Sequence, residues 1–582
     1  MTGYTFNQLF DFTRTTSGTF VGSNGILQTT PASVNLLTFT QEFDNGAWSK
    51  NNASITANAA IAPDGTATAD KLIEAATTSV HNAGQSITTA AVPYTFSCYI
   101  KAAERTFALL YHTQTNAAVS INLTTGATGT PTGISTPTAS SVVALGNGWY
   151  RLSMTVTATA ASNFFGIYPM TSLTGSISYA GDGTSGIFVW GAQLELGSTA
   201  TTYARNNGGL FPPRFDYDPV TFAPRGILIE EQRVNLATYS NTFSDASWTA
   251  ISVKDLIANS TVSPDGGVNA STLTDSSAVA FQGMGKTATV ANDNATYTAS
   301  IYVRKTTGGT SATFGVNLQL TGGTIVTAQP RLNTDTGTLI NGTGTVQNAG
   351  AYWRLTTTVT NNTTGNTTLA LAVYSATAAY NSGTDSAAAT GSAIIYGAQL
   401  EAGAFATSYI PTVASQVTRT ADVCTISAPM FAPWYNQPAG TFVAQFDYSG
   451  GTSADNPSGR FVTAASNATP NNLHAIYNRT SVAQSGLTSD GGVTQAAPGA
   501  GTSLGANAVA SAAYAYSQND FAFSYGGSAA ATDASGTVPV NLTILGIGGS
   551  GYATPAFING HIRRITYYPF RASNNQLQAL ST

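Results

Sequence analysis

The chain has only two cysteines, Cys98 and Cys424, in 582 residues. They stand in unrelated stretches, so neither a disulfide framework nor a zinc-ligand spacing can be drawn. Charge is as scarce. Asp, Glu, Lys and Arg together make up 8% of the residues, and the formal net charge is −5. No Lys/Arg-rich run occurs, which removes the electrostatic footprint of a nucleic-acid binder. No apolar run approaches the length of a membrane-spanning helix, so membrane insertion is not expected. Met1 to Arg14 has no basic stretch leading into an apolar one, so no secretory signal is expected there. Helix-period patterns are almost absent. The four histidines, His81, His112, His474 and His561, stand singly and without metal-ligand spacing.

What is present is glycine, 58 residues, and aromatics, 10% of the chain, spread along its whole length. Disordered chains lack that apolar content. Short Thr/Val/Ile/Tyr/Phe runs broken by Gly, Asn, Asp and Pro point to an all-β protein. The length exceeds what one core serves, and about three or four domains are expected.

An internal repeat organises the chain. Gly191-Ala192-Gln193-Leu194-Glu195-Leu196-Gly197 returns as Gly397-Ala398-Gln399-Leu400-Glu401-Ala402-Gly403. Asn35-Leu36-Leu37 returns as Asn235-Leu236-Ala237, Trp48 as Trp248, and Pro63-Asp64-Gly65 as Pro264-Asp265-Gly266. Tyr94 to Lys101 matches Tyr297 to Arg304, and Trp149-Tyr150-Arg151-Leu152 matches Tyr352-Trp353-Arg354-Leu355. Ordered matches at a slowly growing offset imply two homologous domains. Within each copy the apolar residues alternate, as in Tyr94, Phe96, Cys98 and Ile100, which puts them on one sheet face. Many short strands in each copy predict tandem jelly-roll β-sandwiches.

The remaining segments are placed around these copies. Residues 1–34 form a leader with apolar Phe6, Leu9, Phe10 and Phe12 and a hairpin turn at Ser23-Asn24-Gly25. It is too short to fold alone and is expected to pack on the connector or on a partner chain. The first sandwich covers 35–204, an ordered and charge-dense connector 205–234, the second sandwich 235–412 and a linker 413–430. One short strand, Ile227 to Ile229, is expected in the connector. A third sandwich of different pattern spans 431–582. It closes with a short helix over Ser573 to Leu580, with Ser573 as its N-cap.

The Asn-Leu-Leu start, Trp48, the Pro-Asp-Gly turn, the Trp-Tyr-Arg strand and the Gly-Ala-Gln-Leu-Glu ending resemble the carbohydrate-binding-module-like domain of bacteriophage structural proteins of tail-fibre or spike type. The segment from Arg214 to Asn235 resembles the linker ahead of that domain. Asn559-Gly560-His561-Ile562-Arg563-Arg564-Ile565 with Gln576-Leu577 resembles the end of a concanavalin A-like (laminin-G-like) lectin domain, which makes the third sandwich one of that type. The resemblance implies a virion protein that adheres to host-surface glycan, with other virion proteins as partners and a homo-oligomer, three copies, as its assembly. Its rivals are a purely structural head-fibre, decoration or tail-assembly part, and a polysaccharide depolymerase. A polar, β-rich chain with few cysteines fits assembly in a reducing host cytoplasm and release on lysis.

No catalytic constellation is found, and no cofactor is expected. Glu230 and Glu231 are adjacent and would point to opposite faces of a strand, so they cannot flank one glycosidic bond. Glu195 and Glu401 supply one carboxylate per copy, which fits a turn or an ion pair better than half of a glycosidase pair. Asp216 and Asp218 are candidates for a structural calcium, set against turn capping ahead of Pro219. Sugars are held by stacking on aromatic rings beside amide and hydroxyl groups. Residues shared by both copies, such as Trp48, Trp248, Trp149 and Trp353, are expected in the core, and ligand contacts where the copies differ. The glycan-binding candidates are therefore Tyr111, His112, Phe164, Phe165 and Tyr168 in the first copy and Tyr374 and Tyr380 in the second. Trp434, Tyr435, Tyr477, Tyr514 and Tyr516 are those of the last domain.

Overall fold

The computed structural model describes residues 9–32, 34–209, 211–306, 312–448, 460–467, 471–479, 482–499, 508–549 and 556–582. Phe6 of the leader lies outside them. The described residues are all-β sandwich structure, with helix confined to short segments such as Asn574–Leu580. Ser573 caps that helix, and its hydroxyl and the Gln576 side chain make reciprocal bonds to the backbone. The chain divides into two units.

The first unit comprises Met1–Thr15, Pro31–Pro212 and Ser427–Pro433. It holds one sandwich of two six-stranded sheets. One sheet runs Thr128–Gly129, Ala117–Asn122, Phe107–His112, Ser162–Met170, Asn82–Thr88, Ser49–Asn51. The other runs Ala139–Gly146, Trp149–Thr157, Pro93–Ala102, Gly186–Leu196, Ala69–Glu74, Ala53–Ala60. Alternation builds the core: Phe96, Cys98 and Ile100 are fully buried against Leu110, Phe165, Ile167 and Leu194. Leader residue Asp11 is held here by Arg205 at 2.6 Å.

The second unit comprises Thr16–Thr30, Pro213–Ile426 and Trp434–Thr582. Its first sandwich has one sheet ordered Thr338–Asn341, Arg331–Asn333, Thr313–Thr321, Thr368–Ala378, Gly283–Thr289, Thr249–Ile251. The other is ordered Thr345–Ala349, Tyr352–Thr360, Thr296–Arg304, Gly391–Ala402, Val268–Asp275, Asp255–Val262. This is the order found in the first unit, with one extra strand, Val326–Ala328, paired to Thr313–Thr321.

The repeated phrases are one device built twice. Gly191 and Gly397 both take φ 59, at a bulge where the closing strand shifts register against its neighbour. A Cβ at Gly397 would sit 3.2 Å from the Tyr302 ring and 3.3 Å from Tyr409, so glycine is required there. Beyond the bulge, Glu401 accepts from the Thr407 backbone N–H at 2.9 Å, from its hydroxyl at 2.8 Å and from Gln399 Nε2 at 2.9 Å. Gln399 in turn accepts from the Ile410 N–H at 2.7 Å. Asn235 donates to the Ile410 carbonyl at 2.8 Å and accepts from the Leu400 N–H at 3.0 Å. Glu195, Gln193 and Asn35 make the equivalent bonds. The shared tryptophans are alike too: Trp48 and Trp248 are each 1% exposed, and their indoles donate to the Phe39 and Tyr239 carbonyls. Trp149 is also buried, whereas Trp353 is half-buried under the Lys305 ammonium, 4.0 Å from its ring.

The last sandwich draws on more of the chain than its own C-terminal stretch. One of its sheets is ordered Arg214–Tyr217, Pro224–Ile229, Gly560–Tyr568, Ala439–Tyr448, Ala510–Ser517, Phe521–Tyr525, Ala531–Asp533. The connector thus supplies two strands rather than one. The facing sheet includes Val423–Ile426, Ile544–Ile547, Arg460–Ser466, Leu473–Arg479, Val482–Asp490 and Val493–Ala496. The leader hairpin, Thr19–Val21 with Leu27–Thr29, bonds to the connector through the Val21 N–H, which donates to Asp216.

Charge is concentrated where these pieces meet. Arg214 and Arg419 are fully buried with Glu230 and Asp422. Arg214 reaches Glu230 at 2.8 Å and also pairs with Asp422; Arg419 reaches Glu230 at 3.5 Å and Asp422 at 3.6 Å. Burial alone would raise the Glu230 pKa, but the Arg419 and Arg214 guanidiniums and Ser408 hold it well below the usual carboxylate range. A second cluster places the His561 imidazole between Asp447, 2.6 Å from Nδ1, and Asp216, 2.8 Å from Nε2. Burial alone would lower the His561 pKa; the two carboxylates outweigh burial and the nearby Arg225 and raise it.

Two outcomes follow. Glu401→Ala removes three bonds to a buried carboxylate and should cost about 2–3 kcal/mol. Hydrogen exchange should show protection lost along Gly391–Ala402 while Gly186–Leu196 keeps its own. For His561, the raised folded pKa means that its stabilisation is fully present below the unfolded value, about 6.5, and is lost as pH rises through the folded value. Exchange protection of Gly560–Tyr568 should therefore fall as pH rises from there. His561→Gln should weaken that protection at low pH and flatten the dependence; an unchanged slope would remove His561 as its source.

Candidate functional site

In the first sandwich, the strands Phe107–His112 and Ser162–Met170 pair with Tyr111 opposite Gly166, and Gly166 lies opposite Gly84 on the next strand. Alternation sends Tyr111, Phe164, Gly166 and Tyr168 to the outer face and His112, Phe165 and Ile167 into the core. Three of the five candidates in this copy thus come together. Tyr111 and Tyr168 meet edge to face, with ring centroids 5.7 Å apart. Phe164 lies across the two glycines: a Cβ at Gly84 would run into its ring, and one at Gly166 would be 2.8 Å from both Phe164 and Tyr168. Glycine here lets the rings lie down on the sheet. Tyr111 and Phe164 are half-buried, and Tyr168 is 4% exposed.

Polar groups border this platform. Tyr111 donates its hydroxyl to Asn116 Oδ1 at 2.7 Å. The exposed Gln114 accepts from the Phe164 N–H at 2.8 Å. Burial raises the phenol pKa of both Tyr111 and Tyr168, so both stay neutral hydrogen-bonding groups. The neighbouring end of the same face is closed, because Leu109, Ala118, Met170 and Tyr168 itself form a buried cluster with Val80, Ile134 and Ile177 packed on it. The two half-buried rings, Tyr111 and Phe164, beside amides and with no charge on the platform, suit the apolar face and hydroxyls of a pyranose.

The other two candidates of this copy are core residues. His112 and Phe165 are fully buried, with rings 4.7 Å apart. His112 bonds to Asn163 at 2.9 Å and Thr115 at 2.7 Å, and burial lowers its pKa. Neither ring presents a face to solvent. The second sandwich keeps only part of the arrangement. Asn317, Ala372 and Gly285 occupy the row held by Tyr111, Gly166 and Gly84, and Ala370 stands where Phe164 does. Tyr374 corresponds to Tyr168, is half-buried and lies 6.1 Å from Phe281. Tyr380 is 40% exposed, beyond the end of the strand Thr368–Ala378 and apart from this row.

In the last sandwich, Tyr514 and Tyr516 are fully buried and Tyr477 is 6% exposed. Tyr516 stacks on His474 at 3.7 Å, and Tyr477 on Phe461 at 5.9 Å. Burial lowers the His474 pKa to about 3, so this ring is neutral. These are packing residues. Trp434 and Tyr435 are half-buried around Tyr567, at 5.3 and 5.7 Å. Asp216 is 7% exposed and accepts from Val21 and His561. Asp218 accepts from the Val220 and Thr221 N–H groups at 2.9 Å each, the turn cap ahead of Pro219. No group of three or more potential metal ligands occurs among the described residues. What sequence reasoning missed is the setting of His561, because its partners Asp447 and Asp216 are brought together only by the fold.

No family model matches the chain, and no curated protein matches it. Among solved structures, the tandem CBM22-1–CBM22-2 domain of Paenibacillus barcinonensis Xyn10C is similar at 14% identity. The match covers 64% of this chain and 98% of that one, with a TM-score of 0.22. Mouse laminin alpha1 LG4-5 is similar at 10% identity over 52% of this chain and 93% of that one, TM-score 0.17. A Paenibacillus xanthan lyase is similar at 14% identity over 63% of this chain but 25% of that one, TM-score 0.20. Superpositions this loose carry no functional argument; the fold class rests on the sheets themselves.

The inward and outward rings separate by substitution. Phe165→Ala should cost about 3–5 kcal/mol in denaturant unfolding of the first unit. Phe164→Ala should cost no more than about 1 kcal/mol, because its ring is half out of the sheet already.

Proposed function

We propose that this chain is a glycan-binding, non-enzymatic structural protein, and that the outer-face platform of Tyr111 and Phe164, propped by the buried Tyr168, is its sugar contact. The observation that carries the proposal is the laying down of these rings over Gly84 and Gly166 beside Gln114 and Asn116. Rings that served only the core would not need a glycine-floored outer row. The non-enzymatic part is supported by Glu195 and Glu401, whose carboxylates are bound to the backbone of their own closing turns. Such carboxylates are latches and are not poised to protonate a glycosidic oxygen.

The wider setting is part of the same proposal. The chain is a bacteriophage virion component of fibre, spike or tail-tip type, assembled as a homo-oligomer with other virion proteins and extracellular after lysis. The Gly-Ala-Gln-Leu-Glu phrases and the Arg214 to Asn235 segment support it by their resemblance to phage structural proteins. A purely structural role is favoured by one observation, that the second sandwich keeps the fold but not the platform.

The test is surface binding of host polysaccharide by the full chain and its Phe164→Ala and Tyr111→Ala variants. Each variant should weaken binding about tenfold, the loss of about 1.4 kcal/mol. Assembled oligomer should bind far more tightly than monomer, since linked sites raise avidity. Salt should change platform binding little, because no charge takes part. No binding by either form would leave the structural reading, and clearing of a polymer layer would point to depolymerase activity.

A further inference from the structure

A cavity of about 590 Å³ lies within the second unit, walled by the leader hairpin, the connector, the second sandwich and the strand Gly560–Tyr568. Arg354 lines it and is 7% exposed. Within this unit, the other deeply buried arginines Arg214, Arg233, Arg331 and Arg419 each face a carboxylate within the ion-pair distance. Arg354 has none among the described residues. One nitrogen donates to Ser300 Oγ at 2.9 Å, the guanidinium lies 5.3 Å from the Tyr302 ring, and Nε has no partner among the described residues. In the first sandwich the matching Arg151 spends a nitrogen on the Thr201 carbonyl at 2.6 Å. Arg354 makes no such bond and borders empty space instead.

The wall is suited to an anion. Arg225 and Arg563 line it with side chains 22% and 26% exposed, and among the carboxylates of the described residues each reaches only Asp447, at 3.6 and 3.4 Å. The carboxylates of the wall are already engaged: Asp216 by Val21 and His561, Glu230 by Arg214, Arg419 and Ser408, and Asp218 by its own turn. Burying a guanidinium without a counter-ion is costly, and a carboxylate that arrives there recovers the cost through charge-assisted bonds. The same wall carries the half-buried Phe20 ring and the Gln347 amide, which lies opposite Arg354 on the paired strand, a stacking surface and a hydroxyl partner for a sugar ring.

We propose that this cavity binds a carboxylated sugar, with the uronate carboxylate on Arg354 and the ring between Phe20 and the Gln347 amide. The site is separate from the neutral platform and stands whether or not that platform binds glycan.

Titration calorimetry of the full chain with glucuronate and galacturonate tests it, with glucose, methyl glucuronate ester and acetate as controls. At least one uronate should bind, and glucose and the ester should each bind at least about tenfold more weakly, the size of one lost charge-assisted contact; acetate, which keeps the charge but lacks the ring, should bind about tenfold more weakly for want of the stacking and hydroxyl contacts. Affinity should drop as sodium chloride rises from about 50 to about 500 mM, since screening acts on charge. Arg354→Gln should weaken uronate binding about tenfold or more. Arg563→Gln, on the more exposed part of the wall, should weaken it severalfold. No uronate binding by the unmodified chain overturns the proposal, as does binding that either substitution leaves unchanged. Acetate binding as tightly as the uronates overturns the assignment to a sugar. Phe164→Ala should leave uronate binding intact, so failure here and failure of the platform reading are distinguishable.

Discussion

The second unit depends on four buried charges: Arg214 and Glu230 from the connector, Arg419 and Asp422 from the segment after the second sandwich. Taking two guanidiniums and two carboxylates out of water costs several kcal/mol per ion before their attraction is counted. That cost is offset only when every charge is matched and the remaining lone pairs and protons are filled. The surrounding chain does most of this filling, leaving Nε of Arg214 and of Arg419 without a hydrogen-bond partner among the described residues. Arg214 also donates to the Thr19 carbonyl of the leader hairpin at 3.0 Å, Glu230 accepts from the Ser408 N–H at 2.7 Å, and Arg419 donates to the Glu231 carbonyl at 2.7 Å. Hairpin, connector, closing phrase and linker therefore reach low energy only in one joint arrangement. A chain with 8% charged residues spends a notable share of them here, so charge acts in this fold as a specifier of register between pieces.

The latch at the end of each sandwich works on the same logic with a single charge. Glu195 and Glu401 each gather a backbone N–H, a hydroxyl and a glutamine amide. This is why Gln-Leu-Glu appears twice: Gln and Glu project to one face of the closing strand and bind the turn that follows. A phrase like this is readable in sequence, because its partners lie within a few residues. The all-β class was readable for a similar reason, since period-two alternation is local. The hairpin at Ser23-Asn24-Gly25 and the capped helix at Ser573 were legible too, as turn and cap chemistry sit within four residues.

What resisted reading depends on contacts across hundreds of residues. His561 looks solitary in the sequence, and its role follows from Asp447 and Asp216 closing on its two nitrogens. The strand Arg214–Tyr217 pairs locally with Pro224–Ile229, but what holds that hairpin in a sheet is the pairing of its second arm with Gly560–Tyr568, more than three hundred residues on. Among the aromatics, type and position in the repeat marked the differing rings, but could not say which face each took. One residue of register separates Phe164, on the outer face, from Phe165, in the core, and likewise Tyr111 from His112. Register comes from the pairing of Tyr111 with Gly166, which no local signal announces.

The two sandwiches together show why ligand contacts could diverge while the fold did not. Closing bulge, latch and buried tryptophan all act on backbone groups inside each sandwich, and none uses the outer face of the sheet that carries the platform. Replacing Tyr111, Phe164 and Gly166 by Asn317, Ala370 and Ala372 therefore leaves strand order and core intact. The same holds for the arginine of the Trp-Tyr-Arg strand. Arg151 and Arg354 both donate to a serine on the neighbouring strand, at 3.0 and 2.9 Å, and both lie 5.3 Å from a tyrosine ring. With that half of the guanidinium fixed in both copies, the other half is free to differ. In one copy it closes on its own chain at Thr201, and in the other it faces a cavity. Duplication has kept the positioning of this side chain and released its outer edge, which is the part that a ligand can use.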